Sequence, residues 1–230
     1  MNPLQETPNL IDQVYQRLLD AIADHTLPPG HRIRQNELAD ALGVSRQPIS
    51  HALHLLHRQG LVTEAGRKGF QVTPLDPGHI RRLYEVRGAL DGLAARLAAM
   101  RSGSDAAGCR RLEKALHDGR AIGAETSLAE LIRLDVAFHR ALYELSGNPV
   151  VEETIGPQWP HMRRSMASVL AAPDYRVTAW AEHEAIAARV LAGDPDGAER
   201  LAQSHALTAG RRTEERLNAI DQETRSSQQN

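Results

Sequence analysis

The sequence predicts a mostly α-helical protein in two parts, a helix-turn-helix unit with a small β-hairpin followed by an all-α helical bundle, and three observations carry this reading. Aromatic residues make up only 3% of the 230-residue chain against 41% hydrophobic residues overall, so its cores are built from Leu, Ala, Val and Ile. Apolar residues recur at helical spacing through most of the length, and alternation is confined to one short stretch. The segment "TPLDPGH", Thr73 to His79, holds two prolines and a glycine and divides the part with a strand pattern from the part without one. The length suffices for two modest domains, each with its own core. The expected division is 1–74, a linker at 75–78, a helical domain at 79–218 and a polar, disordered tail at 219–230.

The first element is a helix over Leu10 to Ile22, where Ile11, Val14, Tyr15, Leu18, Leu19 and Ile22 share one stripe and "HTLPPGHR" ends the run. A short helix around Glu37 to Leu42 follows, with Leu38, Ala41 and Leu42 apolar, and Gly43 supplies the turn into "SRQPISHALHLLHRQG". Ser45 is placed to accept a hydrogen bond from a backbone N–H two or three residues on, and Pro48 falls in the first turn, where no intrahelical bond is lost. Along the helix that starts near Arg46, the residues Ile49, Ala52, Leu53 and Leu56 make the apolar face, while Gln47, His51, His54 and Arg58 repeat opposite. Two short helices joined by "GVS" are a helix-turn-helix. After Gly60, "LVTEAGRKGFQVTP" alternates Phe70 and Val72 against Gln71 and Thr73 around a "GRKG" turn, which reads as a two-stranded wing.

Charge is local rather than global. The net charge is −2, yet from His31 to Pro74 six basic residues (Arg32, Arg34, Arg46, Arg58, Arg67, Lys68) face three acidic ones (Glu37, Asp40, Glu64). A polar helix N-terminus bearing Arg46 and Gln47, followed by a hairpin tipped with Arg67 and Lys68, places base-reading side chains and a phosphate clamp in one unit. Arg suits the guanine O6/N7 edge and Gln the adenine edge. An ordinary αα-hairpin inside a larger bundle is the plainer reading of the same pattern. No apolar run approaches the ~18 residues of a membrane span, and "MNPLQETPNL" lacks the basic start and apolar stretch of a signal peptide. The expected location is the cytoplasm, on the nucleoid when DNA is bound. The single cysteine, Cys109, excludes an internal disulfide framework.

Beyond the linker the pattern is helical throughout, with helices expected at about 79–101, 104–121, 126–147, 149–171, 174–192 and 195–217 and breaks at "SGS", "IGA", "SGNP", "APD" and "GDPDG". Polar residues interrupt several apolar stripes. Arg87 shares a face with Leu83, Leu90 and Ala94, Asp135 shares one with Leu131, Phe138 and Leu142, and His139 follows Asp135 by one turn. His183 lies with Trp180, Ala187 and Val190, and His205 with Ala198, Leu201 and Thr208. An inward Asp or His needs a hydrogen-bond partner or a metal. Asp135 and His139 can hold one ion together, and two histidines from neighbouring helices complete a set of one carboxylate and three imidazoles. Taken singly, each histidine also reads as a satisfied core or surface residue, and Arg87 as a buried pair with Asp91.

Residues 10 to 74, with "LPPGHRI", "ELADALGVSRQPISHAL", "LHRQGLV" and "GRKGFQV", resemble the winged helix-turn-helix domain of the GntR family of bacterial transcription regulators. The segments "LYEVRGALDGLAARLAA", "DVAFHRALYELSGNP" and "EHEAIAARVLAGDPDGAERLAQSH" resemble the ligand-binding domain of its FadR subfamily, the FCD domain. The first resemblance implies base contacts from Arg46 and Gln47, and minor-groove or backbone contacts from Arg67 and Lys68. It also points to Arg34, Asn36, Ser50 and His51, although the family often has a basic residue at position 36 and an Arg-Glu pair at 50–51. The second implies metal ligation by Asp135, His139, His183 and His205, with zinc the usual ion and nickel, iron or manganese alternatives, and contact between Arg87 and a carboxylate effector. Together they imply a homodimer on a pseudo-palindromic DNA operator, acting as a repressor, with an activator the alternative, whose operator affinity is modulated by a small carboxylic acid. Two rivals remain at this level: a metal-dependent hydrolase fused to a DNA-binding domain, with Glu182 or Glu184 as base, and a regulator with a purely structural metal.

Overall fold

A computed structural model of the chain describes residues 10–66, 69–123, 125–170 and 172–227, and divides it into two compact units, Met1–Leu75 and Asp76–Asn230. The first unit holds α1 (Leu10–Ala23), β1 (Arg32–Ile33), α2 (Gln35–Leu42), α3 (Arg46–Arg58), β2 (Val62–Glu64) and β3 (Phe70–Val72). Val14, Leu18 and Ile22 of α1 pack with Ile49, Leu53 and Leu56 of α3 and with Leu61, Val62, Phe70 and Val72 in one core. Gly43 ends α2 in the left-handed region, φ 64°, and its N–H bonds back to the last turn, which is what lets α3 start three residues later.

Two local expectations change. Ser45 is the N-cap residue of α3 with extended backbone, but its side chain makes no capping bond; the start is set by Gly43 and by Pro48, buried in the first turn. The wing is three-stranded in the order β1-β3-β2, with Ile33 opposite Phe70 and Val62 opposite Val72. A two-residue strand is too short to show alternation, so β1 leaves no periodic signal in the sequence.

The second unit holds α4 (Pro77–Arg101), α5 (Ala106–Arg120), α6 (Leu128–Ser146), α7 (Pro149–Ile155), α8 (Trp159–Leu170), α9 (Pro173–Leu191) and α10 (Pro195–Ser227). Its core joins Ala95 and Ala98 of α4, Leu112 of α5, Phe138 and Leu142 of α6, Ile186 and Val190 of α9, and Ala198 and Ala202 of α10. The alanines let the helices approach closely. Gly210 takes this furthest, because a Cβ there would stand 2.5 Å from the Tyr84 Cβ. Small residues at the α4–α10 contact thus draw together two helices that both feed the centre described below.

The expected linker at 75–78 is shorter, since Asp76 caps α4 by accepting from Gly78 N–H and Pro77 already occupies the first helical position. The expected helix at 149–171 is broken, with a 3-10 turn at Gly156–Gln158 between α7 and α8, where Pro157 has no N–H to donate. The tail expected to be disordered from 219 continues α10 as far as Ser227. Leu217 anchors it by burial, and the following "NAIDQETR" contains no Gly or Pro to stop propagation. Residues 228–230 lie outside the described residues.

Candidate functional site

The outer face of the first unit is built by α3. Arg46, Gln47 and His51 are exposed, Ser50 is half-buried, and Asn36 is exposed on α2. Arg34, the N-cap residue of α2, is exposed and ion-paired to Glu37 at 2.7 Å, so part of its charge is answered within the protein. Arg34, Asn36 and Arg46 line a cleft of about 970 Å³ together with Arg32, Glu64 and His54. Arg32 and His54 are absent from the sequence-level site; Arg32 enters through the unforeseen β1, and His54 packs edge-on against Phe70 at 5.4 Å. Arg67 and Lys68 lie outside the described residues.

In the second unit, α6, α9 and α10 each turn an imidazole inward. His139, His183 and His205 are 1%, 0% and 5% exposed, and one ring nitrogen from each lies within 4.8 Å of the others. His183 Nε2 stands 3.2 Å from His205 Nε2. Asp135 joins them: its Oδ2 is 3.8 Å from His139 Nε2 and its Oδ1 is 3.7 Å from His183 Nε2. Ligands about 2.0–2.1 Å from a tetrahedral ion are separated by about 3.4 Å; the three imidazoles form a group compact enough to hold one ion, with Asp135 beside two of them. Both ring nitrogens of His139 are buried without a hydrogen-bond partner, and an ion in the cluster would take up the Nε2 lone pair. Burial first, then the Arg87 charge and the other two imidazoles, hold His139 well below the ordinary imidazole range; burial, His205 and Arg87 do the same for His183. Both rings are therefore neutral, the form that ligates. The residues present fit a divalent ion.

The surrounding groups orient the donors. His205 Nδ1 is 2.6 Å from Glu182 Oε2, a carboxylate–imidazole pair behind the ligating nitrogen. Arg87 on α4 is 1% exposed and donates from Nε to Asp91 Oδ2 at 3.2 Å, while its Nη2 has no hydrogen-bond partner. The plain reading of Arg87 as a buried pair is thus present in the structure, with one donor left over. Burial pushes the Asp91 carboxyl up against the downward pull of Arg87, and Arg87 itself, though burial works against it, is held charged by Asp91 and the nearby tyrosines. Burial likewise pushes Asp135 up, with Arg87 opposing. A cavity of about 10 Å³, room for about one water, lies between Arg87, Asp135, His205, Tyr84, Met166 and Tyr175. Glu182, Asp91 and Tyr143, which hold the inner groups, were not among the sequence-level site residues, although Asp91 sits one turn from Arg87 as a pair would.

This arrangement suits ion and anion binding rather than turnover. Glu182 is engaged by His205, and Glu184 by Arg120 at 2.7 Å on the surface, so neither stands free as a base. Among the described residues no helix is long and apolar enough to cross a membrane.

Fold and site define a DNA-binding winged-helix protein with a helical, ion-compatible second unit. Residues 10–72 match the bacterial regulatory proteins of the gntR family, and residues 82–209 match the FCD domain. An HTH-type transcriptional regulator from an unstable DNA locus of Streptomyces ambofaciens is 30% identical over 198 residues, 84% of this chain and 80% of that protein. The HTH-type transcriptional regulator YdhC of Bacillus subtilis (strain 168) is 36% identical over 137 residues, 59% of this chain and 60% of its own length. The crystal structure of a GntR transcriptional regulator from Rhodococcus sp. RHA1 superposes with a TM-score of 0.75 at 24% identity, covering 88% of this chain and 96% of that one, which shows the shared fold. The chain belongs to the GntR family and carries an FCD domain; it is a DNA-binding transcription regulator and not an enzyme.

Proposed function

We propose that the chain acts as a homodimeric repressor on a pseudo-palindromic operator, and that a small carboxylic acid bound beside a divalent ion in the second unit sets its operator affinity. The observation that carries the sensing half is the convergence of three buried imidazoles and a carboxylate next to a buried guanidinium whose Nη2 lacks a partner. Asp135, His139, His183 and His205 would hold the ion, and a set rich in imidazole suits Zn2+, with Ni2+, Fe2+ or Mn2+ as alternatives. Bound there, the ion supplies a Lewis-acid position for a carboxylate oxygen. Arg87 supplies the counter-charge, donating from Nη2.

A cavity with room for one water admits an acid only if its walls move, and Met166, Leu170 and Tyr175 are the apolar and aromatic walls. That displacement is how an acid can favour one arrangement of the helices over another, which is the requirement for any ligand-driven shift. A coupling of about 1–3 kcal/mol changes operator affinity roughly 5–150-fold. In the DNA-binding half, Arg46 and Gln47 read base edges with Asn36, Ser50 and His51 beside them, while Arg34, Arg67 and Lys68 serve phosphates or the minor groove. Two such helices in a dimer address half-sites about 34 Å apart.

Metal content of the purified protein, for wild type and for Asp135→Ala with His183→Ala, followed by a thermal-shift and operator-release screen of small carboxylic acids, tests this. About one ion per chain, lost in the double variant, with an acid that stabilises and releases wild type but not Arg87→Ala, is the expected result. An ion-free protein indifferent to every acid overturns the sensing half and leaves the DNA-binding half standing.

A further inference from the structure

One buried carboxylate remains outside the proposed ligand set. Asp91 is 1% exposed, and both its oxygens are in use. Oδ2 lies 3.2 Å from Arg87 Nε and 3.5 Å from His139 Nδ1, and Oδ1 accepts from the Tyr143 hydroxyl. Arg87 is one turn back on α4, while His139 and Tyr143 are one turn apart on α6. Asp91 therefore ties the two helices together through Tyr143, with its Oδ2 facing the imidazole without a hydrogen bond to it.

His139 has a carboxylate beyond each end of its ring, and neither of its nitrogens makes a hydrogen bond. Its Nδ1 looks toward Asp91 and its Nε2 toward Asp135, at 3.5 Å and 3.8 Å. A neutral imidazole carries one N–H, and it stays on Nδ1, because Asp91 is the nearer carboxylate and is held in place by Arg87 and Tyr143, so an N–H there is attracted while a lone pair there is repelled. The other nitrogen is then left as a bare lone pair aimed at the cluster. The Tyr143 hydroxyl fixes the second carboxylate oxygen, so the carboxylate cannot swing away from the ring.

We infer that Asp91 is a positioning residue for the ion site, setting His139 as the Nδ1-protonated tautomer with Nε2 free to ligate. The role rests on the proposed reading of Asp135, His139, His183 and His205 as the ligand set. It differs from a simple ion pair with Arg87, which makes no demand on which nitrogen of His139 carries the proton. Loss of such an outer partner weakens metal affinity by about 10–100-fold.

The test uses the full chain, 15N-labelled and stripped of metal. Long-range 1H–15N correlation of the imidazoles reads the tautomer of His139, and competition with a chromophoric chelator reads Zn2+ affinity. The expected result is an Nδ1-protonated His139 in wild type, Zn2+ affinity about 10–100-fold weaker in Asp91→Asn, and a smaller weakening in Tyr143→Phe, a milder change should Asp91→Asn fold poorly. An Nε2-protonated His139, or Zn2+ affinity unchanged in both folded variants, overturns the role of Asp91 while wild-type zinc binding keeps the reading of the site intact. A wild-type protein that binds no Zn2+ overturns both.

Discussion

Replacing Arg87 by Met keeps most of the side-chain stem and removes the guanidinium, leaving the Asp91 carboxylate at 1% exposure without its cation. Breaking a buried pair from one side costs about 3–5 kcal/mol. The carboxyl has an escape, because it can take a proton instead of remaining charged. At pH 7 protonating an ordinary carboxyl of pKa about 3.9 costs about 4.2 kcal/mol, at 1.36 kcal/mol per unit, so the electrostatic deficit cannot exceed about 4 kcal/mol. At pH 5 that ceiling falls to about 1.5 kcal/mol. The sign follows from proton uptake: an Asp91 raised above its unfolded value binds more protons folded than unfolded, so the variant's deficit grows as pH rises through that window and fades below it. Both tryptophans, Trp159 and Trp180, lie in the second unit, so urea unfolding of the EDTA-treated protein followed by tryptophan fluorescence reports on that unit alone. Arg87→Met is expected to lose about 3–4 kcal/mol at pH 7 and about 1.5 kcal/mol at pH 5, and Arg87→Met/Asp91→Leu to regain most of the loss. A deficit that does not change with pH, or a double variant no better than the single, would refute the buried-pair argument.

Three further outcomes follow from the same structure. With His139 and His183 held well below the ordinary imidazole range by burial, the unfolded chain binds more protons below pH about 6.5. The metal-stripped protein should therefore lose stability on acidification from there, each imidazole adding up to about 1.4 kcal/mol per pH unit, as measured by urea unfolding across pH. At the α4–α10 contact two glycines should respond oppositely to Ala: at Gly88 a Cβ finds ordinary contact at 3.4 Å from Leu207, so helix propensity should add up to about 1 kcal/mol, whereas at Gly210 it meets the Tyr84 Cβ at 2.5 Å and overpacking should cost about 1–3 kcal/mol, both read by chemical denaturation. Arg46→Ala should weaken binding to the native operator by about 1–3 kcal/mol and relax base preference at one position of each half-site, as read by a binding-site selection assay.

Legibility in the sequence followed the length scale of the signal. The helices of the second unit begin and end within two residues of the expected places, except where α7 gives way to α8 and where α10 continues past 217, because each carries several turns of periodic burial and a Gly, Pro or capping residue at its ends. The failures have local causes. Pro157 interrupts hydrogen bonding without breaking the apolar pattern, β1 is two residues long, and the polar end of α10 is held by continuity with a buried stretch rather than by composition. At the centre, Asp135, His139, His183 and His205 were visible because each is a polar residue on an otherwise apolar stripe, and the fold brings all four together.

The groups that hold those four were harder to see for a different reason. Glu182 has the residue type of a general base, and only its 2.6 Å approach to His205 Nδ1 shows that its lone pairs are engaged behind a ligand. Asp91 sits one turn from Arg87, a spacing that explains it as an ion pair, and nothing in one dimension says that α6 brings His139 Nδ1 to the same oxygen. A ligand must face the interior and so marks its own helix, but a residue that orients a ligand is defined by which atom of another helix it meets. Its meaning lies in the packing of α4 on α6, and it becomes readable only when both helices are in place.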